Sequence, residues 1–313
     1  MTYKMNLYKI ANDSYSAVIN LSRGANCISL RNGTCHAQIL REPDFSAPPD
    51  NPYLYGMPVL FPVNRIAGGT FTFEGREYTF PVNEASTGCH LHGMLHQQEF
   101  KIEAAGEDYV ESAYRASGES PYLAFPHAFE MRICYYLKED GLEQVTEVKN
   151  LSDRDMPVMI GFHTTFGLPF ISGQSAEDLC IFADITDGIE RDKKDYLPTG
   201  RLLSPDEITG KLQDGTFSPF EQKISRHYKA GADGKMYIRD KKRNLSVLYE
   251  NSPNMKFRLL FNGNADSYIC LEPQNCLIDC LNQKSFPKEY SGFECAKPGE
   301  TKTYRSRISL ISG

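Results

Sequence analysis

The 313-residue sequence has no tryptophan, no block of basic residues and no apolar run of about 18 residues, the length that spans a membrane. Its 34 Lys and Arg are outnumbered by 40 Asp and Glu, which gives a net charge of −6. A nucleic acid or an anionic membrane is therefore not expected as a partner, because both select basic surfaces. Residues 1–13 also lack the apolar core and cleavage site of a signal peptide. We expect a soluble, cytoplasmic protein.

Several catalytic motifs are absent as well. The sequence has no Gly-rich phosphate loop and no G-x-S-x-G, H-E-x-x-H or C-x-x-C motif. Its nine cysteines are an odd number, and without a secretion signal we interpret them as reduced, mostly buried thiols. Cys270, Cys276 and Cys280 lie close together, but their spacing matches no zinc motif. We therefore attribute these three cysteines to core packing.

The abundant residue types favour β-structure. Phe and Tyr contribute 18 residues each, and 24 Gly and 18 Pro supply turns. Apolar and polar residues alternate with a period of two through most of the chain, and turn signals recur about every ten residues. These features predict an all-β protein, and we interpret residues 1–313 as one large β-sandwich domain.

Individual hairpins are predicted by their turn residues. Asn32-Gly33 predicts a two-residue turn, and Glu74-Gly75-Arg76 predicts a second hairpin between two aromatic strands. Residues 129–137 and 142–148 predict a third pair of strands.

The segment Ser172–Asp233 is the least strand-like part of the chain. It is rich in Asp, Gly, Pro and Lys, so we expect long loops there, with one short helix after Ser204-Pro205. A two-domain chain with its boundary in this segment is the alternative to one domain.

Three of the seven histidines lie together in residues 89–96. On a strand, His90 and His92 would project from the same face, because side chains alternate. With His96 as a third ligand, this spacing suits a metal. A polar sugar-binding or acid–base site is a second interpretation, and histidines satisfied at a loop surface are a third.

Two further residues are candidates for proton transfer. His163 lies in the middle of an apolar stretch, where a histidine is commonly a hydrogen-bonded core residue. Glu272 follows an apolar strand, and Pro273 indicates that the strand ends there, which would place the carboxylate at a sheet margin or simply in solvent.

Asn64 and Arg65 follow a stiff segment that contains Pro58 and Pro62. An arginine offers a planar set of donors that can bind vicinal hydroxyls or a carboxylate. A surface salt bridge is the other interpretation of Arg65.

An ordered set of segments resembles the aldose 1-epimerase (galactose mutarotase) family. The matching segments run in family order along most of the chain, with a poor match between Ser172 and Met255. They are Gly56–Pro62 with Asn64-Arg65-Ile66, Gly69–Gly75, Leu91-His92-Gly93, Asn150–Pro157, Gly161-Phe162-His163, Leu271–Gln274 and Pro298–Thr301.

This resemblance implies a large antiparallel β-sandwich with a sugar cleft and no cofactor. It also implies site residues. His163 would be the general acid that protonates the ring oxygen, and Glu272 the general base that takes the proton of the anomeric hydroxyl. His92, Arg65 and Asn64 would hold the sugar. We expect a small-molecule sugar substrate, no metal, and a monomer or homodimer.

Two positions depart from the family pattern. Arg226 is aligned where the family has a sugar-binding Asp, and Lys256 where it often has Gln. Both changes would make the site more basic, so the alternative to a neutral aldose is a phosphorylated or otherwise anionic sugar. A non-catalytic sugar-binding protein and a metal hydrolase built on the three clustered histidines are the remaining hypotheses.

Overall fold

The structure is a computed structural model that describes residues 5–263 and 265–312, and its named strands all pair in antiparallel fashion. The prediction made for residues 1–13 therefore lies partly outside the described residues. The first strands are β1 (Leu7–Ala11), β2 (Tyr15–Asn20), β3 (Asn26–Asn32), β4 (Ala37–Gln38), β5 (Val59–Leu60), β6 (Arg65–Ala67), β7 (Thr70–Phe73), β8 (Arg76–Thr79) and β9 (Cys89–Leu91).

The middle of the chain continues the strand sequence. It contains β10 (Lys101–Ala105), β11 (Tyr109–Ala116), β12 (Phe129–Lys138), β13 (Gly141–Asn150), β14 (Met156–Val158), β15 (Gly161–Phe162), β16 (Thr164–Gly167), β17 (Leu179–Ala183), β18 (Ile185–Arg191) and β19 (Pro198–Leu202).

The last part of the chain begins with an α-helix. Its elements are α1 (Glu207–Asp214), β20 (Ser225–Ala230), β21 (Met236–Asp240), β22 (Leu245–Asn251), β23 (Phe257–Phe261), β24 (Tyr268–Gln274), β25 (Glu294–Ala296) and β26 (Thr301–Ser312). Short 3-10 helices occupy Pro52–Leu54, Leu95–Gln97, Ala176–Asp178 and Lys288–Ser291. No helix in the described ranges is long and apolar enough to cross a membrane.

Two large sheets make up most of the molecule. One has the strand order β10-β11-β12-β13-β26-β22-β21-β17, and the other has the order β19-β18-β20-β23-β24-β15-β5, with β16 also paired to β24. Side chains from both sheets, such as Ile133 and Leu271, join one buried apolar cluster that extends from Ile10 to Ile308. The antiparallel β-sandwich that the sequence predicts is therefore confirmed.

The alternation along β24 positions the site. Leu271 belongs to the apolar cluster, so the next side chain, Glu272, emerges on the opposite face of the sheet. Leu259 in β23 is the strand partner of Glu272 and lies on that same face. One face of this sheet thus packs on the core, and the other forms the floor of a cleft.

Most predicted hairpins are present, with one difference. The hairpin of β7 and β8 turns at Glu74 and Gly75, both with positive φ, as a two-residue turn requires. The turn after Asn32 is longer than the two residues predicted, because four residues separate Asn32 from its strand partner Ala37. The Asn32 side chain accepts a hydrogen bond from the Cys35 amide at 3.0 Å, which stabilises the longer turn.

The expectation of long loops in Ser172–Asp233 was wrong. This segment contains four strands, β17 to β20, and their alternation is broken by register shifts between Ile185 and Gly188 and between Ile189 and Arg191. The short helix was predicted correctly. It begins after Asp206, whose side chain accepts a hydrogen bond from the Thr209 amide. The nine cysteines are all free thiols, also as predicted.

Candidate active site

The five predicted site residues line one cavity on the outer face of the second sheet. They are Asn64, Arg65, His92, His163 and Glu272. The cavity volume is about 350 Å³, within the usual range for small-molecule sites. A larger, more open cavity of about 830 Å³ lies beside the turn at Glu139, but it is lined by neither a histidine nor a matched acid–base pair.

Strand register brings His163 and Glu272 together. Gly161 pairs with Gln274 and Thr164 pairs with Leu271, so His163, between the two short strands, lies opposite Glu272. Nε2 of His163 is 3.3 Å from Oε1 of Glu272, and the two side chains are 7% and 2% exposed. An imidazole and a carboxyl group thus meet at hydrogen-bond distance at the floor of the cleft.

Glu272 does not end its strand, contrary to the prediction. Strand β24 continues through Pro273 to Gln274 and lies between β23 and β15. Pro273 has no N–H group to donate to a neighbouring strand. The sheet tolerates it because Pro273 has no paired residue on β15 or β16. The carboxyl group is therefore buried and not at a sheet margin.

Burial changes the protonation of both groups. Loss of hydration lowers the pKa of His163 to about 4. Burial raises the pKa of Glu272 to about 8, although the positive charges of Arg191 and Arg65 oppose that change. Between these values the pair holds one proton, which resides on the carboxyl group in the unliganded site.

Asn64 and His92 enter the cleft from strained backbone positions. Their φ angles are +57° and +63°, in the left-handed region that residues other than glycine seldom adopt. The His92 amide donates a hydrogen bond to the Asn64 carbonyl oxygen at 3.0 Å, which joins the two positions. Such conformations persist where the surrounding structure holds them, and they are common at functional sites.

The three clustered histidines do not share one face. Strand β9 ends at Leu91, so the turn at His92 directs its ring into the cleft, whereas His90 packs on Phe80 and donates to the Pro81 carbonyl oxygen. His96 follows in a separate short helix. These three do not form a potential metal cluster among the described residues, which removes the geometric basis of the metal hydrolase hypothesis.

A different set of potential ligands does converge. Atoms of His163, Cys270 and Glu272 lie within 4.8 Å of one another. A metal would need Cys270 as a thiolate, but burial raises the pKa of this thiol well above its usual range. The Cys270 sulfur instead contacts the Thr165 hydroxyl at 3.3 Å. The three groups therefore fit proton transfer better than metal binding.

Arg65 is held by a carboxylate that the sequence analysis did not identify. Its Nε and Nη2 atoms donate to the two carboxylate oxygens of Glu84 at 2.7 and 2.8 Å. Burial favours the neutral form of Glu84, but hydrogen bonds from Arg65 and Thr87 bring its net pKa below the ordinary value. This bidentate pair fixes the plane of the guanidinium group at the cleft wall.

Tyr53 is a second residue that was missed. Its hydroxyl donates to the Gly93 carbonyl oxygen at 3.1 Å. Its ring centroid lies 4.8 Å from that of His92 and 6.3 Å from that of His163. Tyr53 therefore packs against both imidazoles that face the cleft and restricts their orientation.

The cations predicted near the cleft were the wrong ones. Arg226 forms an ion pair with Asp206 at 2.8 Å, and Lys256 donates to the Gly292 carbonyl oxygen at 3.4 Å. Neither residue lines the cavity. The cation Arg191 lines it instead, together with the aromatic residue Tyr196. Both belong to the segment that was expected to form loops, so no strand alternation pointed to them.

The chain is similar to known proteins in both sequence and fold. A galactose mutarotase from Rattus norvegicus is 25% identical in an alignment of 269 residues that covers 75% of this chain and 74% of the rat protein. Protein LacX of Lactococcus lactis subsp. lactis is 25% identical in an alignment of 265 residues that covers 82% of this chain and 85% of LacX. The crystal structure of a galactose mutarotase-like protein from Clostridium acetobutylicum superposes with a TM-score of 0.91 at 28% identity, covering 99% of this chain and 96% of the other.

The match extends over nearly the whole chain. The family model for aldose 1-epimerase covers residues 6–309, which include every cleft residue described above and all of both large sheets except the end of β26. The chain belongs to the aldose 1-epimerase family.

Proposed function

We propose that the protein is a mutarotase that interconverts the α and β anomers of an aldose. The observation that carries this proposal is the buried contact of 3.3 Å between Nε2 of His163 and Oε1 of Glu272, at the floor of a cleft of sugar-binding size. Family membership supports the same reaction class. In this proposal His163 is the general acid and Glu272 the general base.

The reaction needs only two coupled proton transfers. Glu272 takes the proton of the C1 hydroxyl while His163 delivers a proton to the ring oxygen, so the C1–O5 bond breaks and an aldehyde forms. Rotation about the C1–C2 bond presents the other face of the aldehyde. The reverse transfers then close the ring, and the site returns to its original protonation state.

The proton count of the pair suits this cycle. One proton shared by two groups provides one donor and one acceptor, whichever group carries it before the sugar binds. In the unliganded site the carboxyl group carries it, because burial favours the neutral form of both groups. Transfer of that proton across the 3.3 Å contact gives the imidazolium and carboxylate that the proposed roles require.

The remaining cleft residues would bind and orient the sugar. Arg65, fixed by Glu84, presents its guanidinium edge, and His92 and Asn64 present polar groups from their strained backbone positions. The pKa of His92 is well below its usual value, because of burial first and then the nearby His163 and Arg65. A neutral His92 can accept a hydrogen bond from a sugar hydroxyl as well as donate one.

Anomer exchange measured by NMR tests the proposal. Wild type should accelerate exchange of at least one aldose in a panel of neutral and phosphorylated sugars, and His163→Ala and Glu272→Ala should remove that acceleration. His36→Gln and Glu139→Gln, which change exposed residues outside the cleft, serve as matched controls. Full activity in either cleft variant would refute the role given to that residue.

The same panel distinguishes the hypothesis of a non-catalytic sugar-binding protein. Binding alone does not require a buried acid beside a base, and the burial of such a pair costs stability. A protein that binds a sugar of the panel by calorimetry without accelerating its exchange would favour the binding hypothesis over the mutarotase.

A further inference from the structure

Arg191 differs from the other arginines of this region in having no acidic partner. Arg65 is paired with Glu84, and Arg226 is paired with Asp206. Arg191, at the end of β18, lines the cleft with His163 and Glu272, and it forms no ion pair within residues 5–263 and 265–312. It is therefore a positive charge without an ion-pair partner at the place where we expect the sugar to bind.

The Arg191 guanidinium group is held in one orientation with donors to spare. Its Nη2 atom donates to the carbonyl oxygen and to the hydroxyl oxygen of Ser225, at 2.7 and 2.8 Å. In the described part of the chain, no hydrogen bond uses its Nε or Nη1 atom. A fixed guanidinium with unused donors is suited to charge-assisted hydrogen bonds with an oxyanion.

The electrostatic surroundings favour an anion at this position. Burial is the main cause that lowers the pKa of Arg191, to about 10, and repulsion from Arg65 adds to it. The group nevertheless stays charged at neutral pH. A partly buried charge without an ion-pair partner is costly, so a ligand that supplies the opposite charge gains the energy of compensating it.

Tyr196 links the two cationic groups of the cleft. The Arg65 and Arg191 guanidinium carbons lie 4.8 and 5.7 Å from the centre of its ring. Its φ angle of +59° lies in the left-handed region, which residues other than glycine seldom adopt. The loop thus holds Tyr196 in a strained position where its ring stabilises two neighbouring positive charges.

We propose that Arg191 is a specificity-determining residue that binds an anionic substituent of the aldose, a phosphate or a carboxylate group. The inference rests on the mutarotase activity proposed above and names its substrate class. Its competitor is a purely electrostatic role, since the positive charge of Arg191 also opposes the rise in the pKa of Glu272.

Exchange kinetics on matched sugars test the inference. Wild type, Arg191→Gln and the control Arg226→Gln are assayed with glucose, galactose, their 6-phosphates and their uronates. Wild type should favour at least one anionic sugar over its neutral parent in kcat/KM. Arg191→Gln should reduce this preference by about 10–100-fold, chiefly through KM, because a charge-assisted contact is lost. Arg226→Gln should leave the preference unchanged, since Asp206 already pairs with Arg226 outside the cleft.

The outcomes separate the two proposals. Preference for the 6-phosphates or for the uronates identifies which anion Arg191 binds. Equal losses on neutral and anionic sugars in Arg191→Gln, with a shifted pH profile, would show a purely electrostatic role and overturn the inference alone.

If wild type exchanges no sugar, the mutarotase proposal fails, and calorimetric binding still tests Arg191. Tighter binding of glucose 6-phosphate than of glucose, lost in Arg191→Gln, would support its anion-binding role. Equal binding of the neutral sugars, their 6-phosphates and their uronates would refute that role.

Discussion

Nε2 of His163 contacts Oε1 of Glu272 at 3.3 Å, and burial leaves the pair with a single proton near neutral pH. The contact depends on strand register, since His163 lies in the break between β15 and β16 directly opposite Glu272. Two groups that share one proton act as a unit, and the first two predictions follow from this relationship.

Removing either member of the pair should abolish most of the activity. We expect His163→Ala and Glu272→Ala each to lower kcat by about 2–4 orders of magnitude, the usual contribution of a positioned acid or base. The double variant should lose little more than either single variant, because each depends on the other. Circular dichroism should show an intact fold in all three, and additive losses in the double variant would contradict a shared function.

The pH dependence of kcat/KM should be bell-shaped. Below about pH 4 His163 is protonated as well as Glu272, so the pair holds two protons and has no base. Above about pH 8 Glu272 loses the shared proton, so the pair has no acid. The profile for a sugar without an ionisable group should therefore be flat between these limits. Glu272→Gln, which cannot release that proton, should lack the alkaline limb in its residual activity, and a retained limb would assign it to another group.

The sheet framework could be predicted from the sequence because its alternation is regular. Strands β12 and β13 bury every second side chain and are joined by a tight turn, so local pattern and final structure agree. In Ser172–Asp233 the strands are interrupted by bulges, and their polar residues face outward, so local pattern and structure disagree. The prediction of one domain over residues 1–313 remains a prediction.

The site could be predicted only in part, for a related physical reason. Resemblance pointed to His163 and Glu272, but their contact depends on a register between distant strands, which no local pattern reveals. Glu84, Arg191 and Tyr196 come from loops or irregular strand ends, where neither spacing nor alternation indicates which way a side chain points. The cations predicted for the cleft were wrong because the sequence does not show that Arg226 pairs with Asp206 and that Lys256 donates to the Gly292 carbonyl oxygen.

Glu84 should act through Arg65 as a positioning residue. In Glu84→Gln the bidentate ion pair is lost, so the guanidinium group becomes less ordered and we expect KM to rise about tenfold while kcat changes less. Steady-state exchange kinetics on the preferred sugar measure this difference.

The chain offers a matched control for Glu84. Glu42 forms a similar two-oxygen contact with Arg31 away from the cleft, so Glu42→Gln should leave both constants unchanged. In an Arg65→Gln background, Glu84→Gln should have little further effect, because its partner is already absent. A purely structural role for Glu84 would instead lower stability without this dependence on Arg65.

Gly93 should not tolerate a side chain, for two separate reasons. One is its backbone conformation, and the other is the lack of space for a Cβ atom. Its φ is +64°, and an added Cβ would lie 1.9 Å from the Phe61 carbonyl oxygen. Gly75 has a similar φ of +74° but has no atom within 4 Å of the corresponding Cβ position. Gly75→Ala should therefore cost only the left-handed conformation, about 1–2 kcal/mol of unfolding free energy. Gly93→Ala should cost that amount plus about 1–3 kcal/mol for the steric clash.

Urea denaturation of the two glycine variants measures this difference, and activity provides a second readout. Gly93 follows His92, and its carbonyl oxygen accepts the Tyr53 hydroxyl, so a shift of the backbone at Gly93 moves two groups of the cleft. Gly93→Ala should therefore lower kcat/KM even where it remains folded, whereas Gly75→Ala should not. Equal stability losses in the two variants would mean that the backbone near Phe61 moves away from the added Cβ at no cost in free energy. The backbone at Gly93 would then not be what fixes His92 in the cleft.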